Sequence, residues 1–296
     1  MTHLIVLNIG KRKMQAVSLD GDDVRALVDG LDEVPDGVVV DQERGHIYWT
    51  NMGRADTGSR FSEWYDRNGS IERVDLDGGN RTTIVARGGF TTGKQLAADF
   101  GRDRLYWCDR EGMQVLTCSL DGGDLHPIVT VAIGPDAARD ARNHCVGIAL
   151  DTDRGHFYWS QKGPAKGGQG RILRAPLPPA GRHASVDADD IEVLWDELPE
   201  PIDLELSGDT LWWTDRGDAA AGGNTLNRAS VHPNVGSPEV VASGFDETIG
   251  LTMASPSTLY VTDLGGTVRV VGLEPPTDRP LVHLGPGLTG LAHAEL

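Results

Sequence analysis

Apolar and polar residues alternate along this chain in short runs, separated by turns rich in Gly and Asp. Ser70 to Asp77, Gln114 to Asp121, Arg171 to Leu177, Thr225 to Val231 and Thr267 to Leu273 all have this pattern. Period-two alternation with β-branched residues predicts half-buried strands. No helical periodicity outlasts a turn or two. The expected class is all-β.

Before each alternating run lies an aromatic one, and the aromatic runs repeat. They are Ile47-Tyr48-Trp49-Thr50-Asn51, Leu105-Tyr106-Trp107-Cys108-Asp109, Phe157-Tyr158-Trp159-Ser160-Gln161, Leu211-Trp212-Trp213-Thr214-Asp215 and Leu259-Tyr260-Val261-Thr262-Asp263. Leu4-Ile5-Val6-Leu7-Asn8 is a degenerate sixth copy. The third positions are spaced by 43, 58, 52, 54 and 48 residues, which suits four short strands per unit. A small-residue apolar run precedes each aromatic strand, at Gly37 to Asp41, Gln95 to Asp99, Gly147 to Asp151, Asp203 to Ser207 and Gly250 to Ala254. Its sixth copy, Gly290 to Ala294, stands at the far end of the chain. The N-terminal aromatic copy must therefore pair with it. The prediction is a six-bladed β-propeller spanning 1–296 as one domain, with the last blade closed by both terminal strands and no open edge.

The Tyr-Trp-Thr-Asp units make the whole chain resemble the YWTD-repeat propellers of lipoprotein-receptor-type proteins. The single-domain microbial versions are the nearest in form, and the gluconolactonase-like propellers are more distant relatives. The resemblance implies that the aromatic pairs pack between neighbouring blades and that the Asp braces its blade by hydrogen bonds.

Composition narrows the setting. The formal charge is −17. With no basic stripe, this argues against nucleic acid and anionic membranes as partners. No stretch approaches the roughly 20 apolar residues of a membrane helix. Cys108, Cys118 and Cys145 are odd in number and lack zinc-type spacing. They fit a reducing compartment, so the cytoplasm is the expected location.

Departures from the repeat mark the candidate site. Inner strands want Gly at their third position, as at Gly37, Gly147, Gly250 and Gly290, but Gln95 and Asp203 replace it in two blades. One residue earlier stand Asp36, Lys94, Val146, Ile202, Ile249 and Thr289. Nearby lie Asn143, His144, Glu200, Asp246 and Glu247. Arg110, Glu111, Lys162, Arg216 and Asp218 follow the aromatic strands. The expected result is a ring of mixed charge at one mouth of the axis. Lys94, Arg110, Lys162 and Arg216 could hold a small anionic molecule. Alternatively they neutralise Asp36, Glu111, Asp203 and Asp218.

Glu205 occupies a position that is Val, Ala or Thr in the other blades. A carboxylate there has a raised pKa and can do acid/base work, or it forms an ion pair with Arg171, Arg174 or Arg228. Asp203 and His144 are the other candidate proton carriers. A Cys145–His144 nucleophile pair is disfavoured, because neighbours on a strand point to opposite faces. No cofactor motif is present. Asp36, Asp203, Glu200 and Asn143 could imitate an oxygen-rich metal set, yet they lack diagnostic spacing, and no metal is assigned. The long segment from Met52 to Gly69, with Arg54, Arg60, Phe61, Trp64, Tyr65 and Arg67, is expected either to be a partial lid over the charged mouth or to pack on its own blade. Gly163 to Gly170 and Gly217 to Gly223 are expected to form mobile rims.

Two functions follow. One is a small-molecule site with hydrolase-, lyase- or isomerase-type chemistry. The other is a protein-binding scaffold.

Overall fold

A computed structural model describes residues 1–56, 63–179 and 184–296. It shows six four-stranded antiparallel sheets, each following chain order from the axis outward except the one that contains both termini. In that sheet, blade one, Leu288–Glu295 is the inner strand and pairs with Thr2–Asn8. The inner strands of blades two to six are Pro35–Asp41, Gly93–Asp99, Cys145–Asp151, Pro201–Ser207 and Thr248–Ser255. Their aromatic partners are His46–Asn51, Arg104–Asp109, His156–Gln161, Thr210–Asp215 and Thr258–Asp263. The closure and strand order match the expectation.

The aromatic pair does join blades. Tyr48 packs with Trp107 of the next blade, Tyr106 with Trp159 and Tyr158 with Trp213. Each Trp indole is at most 1% exposed. Such wedges bury large apolar area at these three blade junctions.

The Thr of the repeat is a second link. Thr50 Oγ1 accepts the Gly37 N–H at 2.9 Å and donates to Lys94 O of the next blade at 2.7 Å. Ser160 and Thr214 make the same double contact. Blade one has Leu7 there, and Thr289 Oγ1 donates to Pro35 O at 2.9 Å instead.

The acidic residue closes the motif. Asp109 accepts the backbone N–H groups of Thr91, Thr92 and Gly112. Asp263 does the same for Gly266 and Thr267.

Each inner strand of blades two to six is irregular between its first and fourth residues. This bulge is why the strands begin two residues before the expected glycines. At the bulge the neighbouring blade comes very close. A Cβ on Gly147 would lie 2.2 Å from Ile202 O. The glycines are therefore a packing requirement of the axis.

Candidate functional site

The charged residues do converge at the face where the inner strands begin. Arg110 and Arg216 both act electrostatically on Lys94 and on Lys162. Every one of these cations has a carboxylate. Lys94 Nζ pairs with Asp36, and Arg110 Nε with Glu111 at 2.7 Å. Glu200, fully buried, takes Lys162 Nζ at 3.4 Å and Arg216 at 2.6 Å. Glu247 takes Arg216 Nε at 3.3 Å and Lys166 Nζ at 3.1 Å.

The pairing differs in part from the expected one. Asp36 and Glu111 serve as foreseen, but Glu200 and Glu247 stand in for Asp203 and Asp218. Asp218 instead accepts the Ala220 N–H and caps a short turn. Burial lowers the pKa of Lys94 and of Lys162 despite their partners, as desolvation of an ammonium does.

At the level of Asp36 and Lys94 along the axis, Val146, Ile202 and Ile249 form a buried apolar cluster with Leu264 packed against it. On the far side of that layer runs an axial cavity of about 740 Å³. It extends from the third position of the inner strands, at Gln95 and Asp203, to their ends at Gln42 and Glu295. Gln42 and Glu295 are exposed, so the cavity opens on the face opposite the ion pairs. Its walls are mostly Val, Leu, Ala and Ile.

The candidate site thus divides in two. Asp36, Lys94, Arg110, Lys162, Glu200, Arg216 and Glu247 make a closed electrostatic ring and do not line the cavity. Gln95, Asp203 and Glu205 do line it. Alternation along the inner strand aims the third and fifth residues at the axis.

Both carboxylates reach toward blade six. Asp203 Oδ1 accepts the Leu204 N–H at 2.9 Å, and Oδ2 accepts the Leu251 N–H at 3.0 Å. Glu205 Oε1 accepts the Met253 N–H at 3.1 Å. Among the described residues no arginine pairs with Glu205. Arg171 bonds Gln161, Arg174 bonds Glu192 and Arg228 bonds Glu239. Burial pushes the Asp203 carboxyl well above its usual range and Glu205 up to about 7. One backbone donor offsets too little of the desolvation of Glu205. Gln95 is 3% exposed, and its Nε2 has no hydrogen-bond partner.

His144 is bound to the backbone through one ring nitrogen. Its ring Nε2 lies 2.7 Å from Ala138 O, and burial lowers its pKa. Bonding to a carbonyl makes Nε2 the protonated nitrogen, and the ring thereby fixes the short helix Pro135–Ala138. The Cys145 thiol is fully buried, and burial raises its pKa steeply. No thiolate forms there.

Asn143 Nδ2 donates to Ala137 O, so the four residues considered for a metal serve separate partners. Among the described residues, no group of His, Cys, Asp and Glu is placed to hold a metal ion.

The expected lid lies partly outside the described residues, since Arg60 and Phe61 fall in 57–62. Its described part leans outward over blade three. Trp64 O accepts the Thr92 hydroxyl, and Arg139 stacks on the Tyr65 ring at 4.9 Å. Residues 163–170 are tied down as well, with the Lys166 N–H on Glu200 and the Gly168 N–H on Pro199 O.

Thr252 and His293 also line the cavity, with Thr252 Oγ1 3.1 Å from His293 Nδ1. Neither was expected from the sequence, although His293 departs from the repeat, standing where the other blades have Val40, Ala98, Leu150, Leu206 and Met253.

The fold and this axis define a YWTD-type propeller, and comparison with known proteins agrees. The chain is 42% identical over 284 residues to a low-density lipoprotein receptor-related protein 1 of Pyricularia oryzae, covering 90% of this chain and 88% of that one. The chain belongs to this lipoprotein-receptor-related family of propellers. It is also 34% identical to a 3-hydroxyacyl-CoA dehydrogenase-like protein of Cochliobolus heterostrophus, of whose length it spans 56%. Against models of known protein families it gives no match. Among solved structures it resembles a chain of the nidogen/laminin complex, with a TM-score of 0.74 at 19% identity and 100% and 99% coverage. A luciferin-regenerating enzyme superposes at 0.61 with 11% identity, over 97% of this chain and 83% of that one. No helix among the described residues is long and apolar enough to cross a membrane.

Proposed function

We propose that this propeller binds a small molecule in its axial cavity, entering from the face opposite the ion-pair ring. Glu205 is the group that meets it. One observation carries this reading: a carboxyl whose pKa burial raises to about 7 faces a cavity of about 740 Å³. That volume lies within the range of ligand pockets. A carboxyl with a pKa near the working pH can accept or donate a proton at a bound molecule, which is what acid/base catalysis requires. The ion-pair ring supports a structural role better than an anion site, since each cation already has a carboxylate.

The test is a thermal-shift screen of small molecules against the wild type and an Ala97→Phe variant that fills the cavity. A ligand at a hundred times its dissociation constant stabilises by about 2.7 kcal/mol. Hits that vanish in the variant support the axial site. Hits that persist, or no hits at all, contradict it.

A second reading has its own observation. Ile133 is 86% exposed beside a cleft of about 320 Å³ lined by Tyr65, Arg67, Met113 and Arg139. Exposed apolar side chains at a rim suit a protein partner, and one structural neighbour is a protein complex. Ile133→Asp would abolish such binding and leave axial ligands unaffected.

A further inference from the structure

The axial cavity has a charge asymmetry that defines its ligand. Among the described residues no Lys or Arg lines it, whereas Asp203, Glu205 and Glu295 do. Glu295 is occupied by the Met1 ammonium at 3.2 Å and by Thr2. Asp203 is occupied by two backbone N–H groups. Glu205 has a single contact, the Met253 N–H, and no cation.

Gln95 also borders the cavity, but its unpartnered Nε2 is buried away from solvent and is not presented to a ligand. In four of the other five blades that position is Gly.

We infer that the cavity takes a small organic amine with an apolar body, its ammonium on Glu205. This rests on the axial-site reading above and narrows it to a ligand class. Apolar walls of Val39, Ala97, Ala149 and Ala292 would cover the body. Burial raises the value of the ammonium–carboxylate contact, because water no longer screens it.

One titratable group stands close to Glu205 on its own strand: the Asp203 carboxyl, whose pKa burial and the Glu205 charge both raise. Trp212 is the partner of Glu205 on the aromatic strand. Blade six brings Thr252 and Met253, and blade four brings Ile148, Ala149 and Leu150, none of them charged. Tyr158 and Arg174 of blade four are directed to His232 and Glu192. Across the cavity stand His293 and Glu295. An ammonium bound to Glu205 requires the carboxylate, so binding expels the Glu205 proton.

The test uses three probes of one shape: phenethylamine, 2-phenylethanol and 3-phenylpropanoate. Calorimetry on the full chain at pH 8 should show the amine binding about tenfold or more tightly than the alcohol. The carboxylate should bind weakest. Amine affinity should fall as pH drops below about 7, approaching tenfold per unit. Glu205→Gln should remove both the preference and the pH dependence while leaving the alcohol bound. The pH series on wild type serves if that variant fails to fold. If amine and alcohol bind equally at all pH values, the amine inference fails and the axial site stands. If the carboxylate binds best, the charge argument is wrong. If no probe binds, both fall.

Discussion

Asp203 Oδ2 accepts the Leu251 backbone N–H at 3.0 Å, so a carboxylate on the inner strand of one blade holds the inner strand of the next. The residue that replaces an axial glycine in the repeat is therefore a clamp. Asp203→Ala leaves the buried Leu251 N–H without a partner and should destabilise the protein by about 1–3 kcal/mol. Urea unfolding measures it. An unchanged midpoint would mean that the clamp contributes nothing.

Glu205 sets a pH dependence of stability. Its folded pKa is raised from 4.5 to about 7. Between those values the unfolded chain has released the proton and the folded chain still holds it. Stability therefore falls as pH rises from about 4.5 to 7, and is level above. Glu205→Gln removes this loss and should stabilise the protein by about 1–3 kcal/mol at pH 8 and by little at pH 5. Melting curves of both proteins across that range decide it. A variant destabilised at pH 8 would contradict the assigned burial of the charge.

The hydroxyl link between blades predicts a graded series. Thr50→Val removes the acceptor of Gly37 N–H and the donor to Lys94 O, both buried. It should cost about 1–3 kcal/mol. Thr214→Val should cost a similar amount, since Thr214 makes the same two contacts. Thr289→Val should cost less, because a single hydrogen bond is lost there. Chemical denaturation of the three variants ranks them.

Glu200 is the keystone of the charged ring. Glu200→Ala strands Lys162 and leaves Arg216 only Glu247. Removing one partner from a buried ion network costs about 3–5 kcal/mol. Arg110→Ala touches only the single contact to Glu111 and should cost less. A reversed order in melting temperature would show that the ring is not organised around Glu200.

Much of the fold can be read from the chain because a propeller states its rule six times. Tyr48, Trp107 and their counterparts recur in register with the apolar inner strands, and each copy corroborates the others. The closure of blade one follows from arithmetic, with an orphan inner strand at Gly290 and an orphan aromatic strand at Leu4.

The site is legible only in part. Gln95 and Asp203 stand out because Gly147 and its equivalents are required by backbone contact with the next blade. What the sequence conceals is level along the axis. Lys94 and Gln95 are adjacent residues, yet one joins the ion-pair ring and the other faces the cavity. A strand sends neighbours to opposite sides, and the bulge shifts where that alternation begins. The pairing of the cations is also concealed, since Glu200 and Glu247 lie in loops whose path no periodicity describes.

One measurement bears most directly on the axial site. Phenethylamine stabilisation would be compared in the wild type, Glu205→Gln and Arg216→Ala by thermal shift. The axial-cavity account predicts that Glu205→Gln abolishes the shift and that Arg216→Ala, on the opposite face, preserves it. A shift that survives Glu205→Gln and disappears with Arg216→Ala would place binding at the charged ring and contradict the account.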